Sequence, residues 1–75
     1  MIRFYIADET NVTLDIWDVS GARVKRLVDA HKEPGIYLEE WNGLDEFGNN
    51  ASSGIYFYTL KTSATTLTRK MMLVR

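Results

Sequence analysis

Ile2, Phe4 and Ile6 alternate with Arg3 and Tyr5, and Val12, Leu14 and Ile16 repeat the pattern with Thr13 and Asp15 between them. A period of two sends successive side chains to opposite faces, so each run predicts a half-buried strand; the polar Asp8, Glu9, Thr10 and Asn11 between them predict a turn. Trp17 falls out of phase with the apolar positions, which puts it on the outer face or under a loop. Asp18-Val19-Ser20-Gly21 reads as a turn in which Asp18 accepts backbone hydrogen bonds and Gly21 takes positive φ. Val24 and Leu27 stand three apart, a spacing that a flat strand cannot place on one face. A short helical turn or a β-bulge resolves the conflict, and the absence of helical periodicity around them favours the bulge.

The stretch from His31 to Gly35 holds the only proline and predicts a loop that carries His31. In the strand beyond it, Tyr37, Glu39 and Trp41 share one face while Ile36, Leu38 and Glu40 share the other. Trp41-Asn42-Gly43, then Asp45 and Gly48, then Ser53-Gly54-Ile55-Tyr56-Phe57-Tyr58, predict a strand ending on an aromatic, a glycine-punctuated loop and a second strand that opens on Gly54. Glycine and asparagine reach the left-handed backbone region most easily, so Gly43, Gly48, Asn49 and Asn50 are geometry rather than ligands. Residues 55–60 are apolar or aromatic on both parities, as in a central strand covered on both sides, and a last strand runs from about residue 66 to 74. Short strands at intervals of about ten residues, with glycine-rich turns, predict an all-β fold: an antiparallel β-sandwich of about six or seven strands.

At 75 residues the chain makes one domain, residues 1–75, with a thin core. It has no cysteine, which removes disulfides and thiolate chemistry. Nine basic residues against ten acidic ones give a net charge of −1 with no concentrated basic face, so nucleic acid is not an expected partner. No apolar run is long enough to span a bilayer as a helix.

Taken in order, the Val12 to Gly21 strand and turn, the Val24 and Leu27 pair, the Gly35-Ile36-Tyr37 strand start, the Trp41 to Tyr58 segment and the closing Arg69-Lys70-Met71-Met72-Leu73-Val74-Arg75 resemble the immunoglobulin-like domain of flagellar hook-capping proteins. C-terminal sorting domains of the type IX (Por) secretion system share this pattern. The resemblance covers essentially the whole chain, and Gly21, Gly35, Trp41, Gly43, Gly48, Gly54 and Tyr56 are its structural signature. It implies an immunoglobulin-like sandwich and a non-catalytic module at the C-terminal end of a larger exported or surface protein. The Asn-Pro-rich lead-in that precedes the first strand in the family is missing ahead of Ile2, so the domain is expected to lack its natural N-terminal segment and to expose a sheet edge that can pair with a second copy. Glu39 stands where the family has an apolar residue. Either it reaches solvent at the sandwich edge or the register differs.

As a sorting domain the chain would present its last strand and the cations Arg69, Lys70 and Arg75 to the secretion machinery. As a hook-capping domain it would be a self-associating structural part of an extracellular assembly. Either role is interaction rather than catalysis, at the cell surface or beyond it, without a cofactor or metal.

Other chemistry is weaker. His31 has no partner histidine or cysteine and is read as a solvated loop residue. Glu39 and Glu40, being adjacent on a strand, point to opposite faces and cannot form a glycosidase pair with each other. Asn42, Asp45, Asn49 and Asn50 supply oxygen ligands of the kind calcium takes, but Asx turns occupy the same side chains without an ion. Tyr37, Trp41 and Tyr56 are expected in the core with their polar tips at the rim, which leaves Trp17 and Tyr5 as the rings free to stack on a sugar. Carbohydrate binding is therefore the alternative of a different class.

Overall fold

The computed structural model describes residues 1–75 and contains six strands and no helix: β1 (Ile2–Ile6), β2 (Thr10–Trp17), β3 (Arg23–Lys32), β4 (Gly35–Glu39), β5 (Gly54–Lys61) and β6 (Thr66–Leu73). They form two antiparallel sheets, a small one of β1 and β4 and a large one in the order β3-β2-β5-β6. The architecture is the expected β-sandwich.

The alternation in β1 and β2 builds its centre. Ile2, Phe4 and Ile6 of the small sheet face Val12, Leu14 and Ile16 of the large one, with Val28, Tyr56 and Leu60 completing the buried cluster. Val12, Leu14 and Ile16 are wholly sequestered, each contributing about 2 kcal/mol through loss of its apolar surface from water. Phe4 stacks on Tyr37 across the β1–β4 pair with centroids 5.4 Å apart.

Two bulges interrupt the β2–β3 ladder. Leu14 pairs with Val28 and Asp15 with Arg26, so Leu27 is extra; Ile16 pairs with Lys25 and Trp17 with Arg23, so Val24 is extra. The two residues whose spacing conflicted with a flat strand are the bulged ones, and both pack against the core.

Several local expectations need correction. His31 is not in a loop: β3 runs on to Lys32, and His31 pairs with Asn11. The strand before the long loop ends at Glu39, so Trp41 lies beyond it. Glu39 is partly exposed and pairs with Ile2 at the end of the small sheet, the solvent-edge alternative. β5 is central in the ladder but has a covering sheet on one side only; Tyr56 and Leu60 are buried, whereas Ile55 on the other parity is exposed. Positive φ is confined to the five glycines, and Asn49 and Asn50 do not share it.

Candidate interaction surfaces

The segment from Trp41 to Tyr58 is a joint between the sheets. Trp41 meets Tyr56 edge-on at 5.0 Å, and its indole N–H donates to the Leu44 carbonyl at 2.9 Å. The Tyr56 hydroxyl donates to the Ser52 carbonyl at 2.6 Å, and that of Tyr37 to the Glu33 carbonyl at 2.6 Å. These are core aromatics with their polar tips satisfied at the rim. Within the loop, Asp45 Oδ1 accepts the amides of Phe47 and Asn49, each at 2.9 Å, and Asn42 Oδ1 accepts that of Leu44 at 3.1 Å. Asx turns thus occupy one side-chain oxygen each of Asp45 and Asn42. The earlier turn works alike: Asp18 accepts from the Ser20 hydroxyl at 2.6 Å and from the Ala22 amide at 3.0 Å, bonds that hold its carboxyl below its ordinary value of 3.8.

The three terminal cations do not form one patch. Arg75 folds back onto the loop, donating to the Gly43 carbonyl and, at 2.6 Å, to that of Ala51, while its amide reaches Ser53 Oγ at 3.1 Å. Gly43 has φ 78°, which favours glycine, and a Cβ there would stand 2.6 Å from the Arg75 guanidinium and push this strap aside. Arg69 lies opposite Tyr58 on the core-side parity of β6, and Lys70 opposite Phe57 on the outer parity. Both are exposed and neither belongs to an ion pair.

The outer face of the large sheet holds an open groove of about 720 Å³ lined by polar side chains and Trp17. Trp17 spends its indole N–H on Thr59 Oγ1 at 2.8 Å and is the one aromatic residue of the lining. Beneath the groove Asp15 is buried and is gripped by Arg26 through two bonds of 2.8 and 3.2 Å. This hydrogen bonding raises the Arg26 pKa further, keeping the guanidinium charged. The pair was not foreseen, because Arg26 becomes the partner of Asp15 only through the bulge at Leu27. Glu46 provides a second unforeseen link: its carboxylate accepts the Arg26 amide at 3.0 Å and its own amide donates to the Val24 carbonyl at 3.0 Å. The long loop thereby covers part of the free edge of β3.

The outer face of the small sheet is different. Tyr5 pairs with Ile36 and Arg3 with Leu38, and these apolar side chains are 70% (Tyr5), 58% (Ile36) and 59% (Leu38) exposed. The exposure of Ile36 and Leu38 was not read from the sequence, where alternation assigns faces but not which face is covered. Elsewhere on the surface, Glu9, His31 and Glu33 bring their ligand atoms within 4.8 Å of one another, all solvent-exposed, with His31 Nε2 3.8 Å from Glu9. No helix is long and apolar enough to cross a membrane.

The family model described as "FlgD Ig-like domain" matches residues 4–67, from within β1 to the start of β6 and so most of the chain, and the chain belongs to that family. No curated protein and no solved structure matches it significantly.

Proposed function

We propose that this member of the FlgD Ig-like domain family is a non-catalytic structural module of a larger exported or cell-surface protein, one that associates with further copies of itself in the manner of a hook-capping domain. The observation that carries the proposal is the small sheet. Its outer face exposes Tyr5, Ile36 and Leu38 together, and neither β1 nor β4 has a partner on its far edge. A two-stranded ribbon with an outer face that is apolar except for Arg3, and with two open edges, is a surface suited to another chain. The family match favours this role over type IX sorting, as does the division of Arg69, Lys70 and Arg75 among two faces and a loop strap. A carbohydrate platform wants a row of rings, and the outer groove has Trp17 alone.

Sedimentation velocity tests the proposal. The unmodified domain should shift to a dimer or higher species through the high-micromolar range, and Ile36→Lys with Leu38→Lys should abolish the shift while keeping the sheet spectrum, since both positions are exposed. A monomer at every concentration would refute self-association.

A further inference from the structure

The two edges of the large sheet are built differently. β3, at one edge, carries two bulges, charged or titratable side chains at Arg23, Lys25, Arg26, Asp29, His31 and Lys32, and the Glu46 clamp. These are the devices by which proteins close an edge to strand addition. β6, at the other edge, pairs with β5 in unbroken register from Thr66 to Leu73. Its far side has no neighbouring strand. Leu67 and Met71 lie on its core-side parity at the margin of the sandwich, with Leu67 exposed and Met71 partly so.

Charge decides what can add there. Arg69 and Lys70 occupy the middle of the strand without carboxylate partners, and their neighbours across the ladder, Tyr58 and Phe57, carry no charge. A second copy of β6 added antiparallel about a two-fold axis sets Arg69 against Arg69 or Lys70 against Lys70 in the registers that use most of the strand, and like charges directly opposite are destabilising. Sliding the register to avoid this shortens the ladder. The edge therefore rejects its own copy and suits a strand of opposite charge.

We infer that β6 is a docking edge for an extended acidic segment of another polypeptide, added as a further antiparallel strand of the large sheet. Because Arg69 and Lys70 point to opposite faces, the segment carries two adjacent carboxylates, one for each cation. Apolar residues two positions to either side of the carboxylate opposite Arg69 then lie against Leu67 and Met71. Backbone hydrogen bonds supply affinity, and the charges supply choice of partner and register.

The test uses the domain carrying Ile36→Lys and Leu38→Lys, so that self-association through the small sheet and docking at β6 are read separately. Two capped peptides of alternating valine and threonine are titrated into it, one with two adjacent glutamates at its centre and the other with two lysines there, while backbone amide resonances are followed. The glutamate peptide should bind with amide shifts concentrated on β6, weaken as salt is raised and prefer the domain by about tenfold or more over the lysine peptide. Arg69→Glu with Lys70→Glu should invert that preference, a gain of binding that an unfolded variant cannot produce. Absence of binding by the glutamate peptide, equal binding of the two peptides, indifference to charge reversal, or shifts centred on β3 or the small sheet would each overturn the assignment.

Discussion

At 5% exposure Asp15 would be an uncompensated buried charge without Arg26, whose guanidinium meets both of its carboxylate oxygens and bridges on to Asp29 at 3.8 Å. Removing one partner of such a pair costs more than the pair contributes, because the remaining charge stays desolvated. Arg26→Met should therefore destabilise the domain, though by less than in a fully buried pair because Arg26 is partly in water. Adding Asp15→Val should restore most of the loss. Urea denaturation of the single and double variants checks this, and a double variant no more stable than Arg26→Met would show that the charge was not the cause. The pair was hard to foresee because its members are eleven residues apart in sequence, and a simple hairpin register does not align them. The Asx turn at Asp18, in contrast, is a local motif whose partners Ser20 and Ala22 follow within four residues, and it was legible directly.

Among the elements, β3 shows what an edge strand needs and what its sequence conceals. Its Val24 and Leu27 spacing announced a bulge, and two are present. His31 gives no strand signal because the C-terminal part of β3 is polar or exposed on both parities, which removes the alternation that marks a strand. β5 misleads in the opposite sense: apolar residues on both parities suggest two covering layers, although a two-sheet sandwich supplies one. The Glu46 clamp on β3 depends on a contact between residues twenty apart and left no local signature. Glu46→Ala should cost about 1 kcal/mol, the worth of an ordinary exposed-edge hydrogen bond, and should accelerate hydrogen exchange at the Arg26 amide. Unchanged exchange there would mean that the loop does not seal the edge.

On the scale of the whole molecule, an elongated body of 35 × 19 × 19 Å divides its surface by role. One edge of the large sheet is sealed by bulges and a loop, the other is open and basic, and the small sheet turns an apolar face outward. The sandwich and its glycine-rich joint were legible because they rest on periodicity and turn chemistry. Which faces stay uncovered was not, since that depends on how many strands each sheet recruits. The proposed association surface is the small sheet. Backbone amide exchange measured at low and high protein concentration tests it most directly: amides of β1 and β4 should gain protection at high concentration while those of β3 remain unchanged. Protection that does not vary with concentration, or that rises on β3 instead, would contradict it.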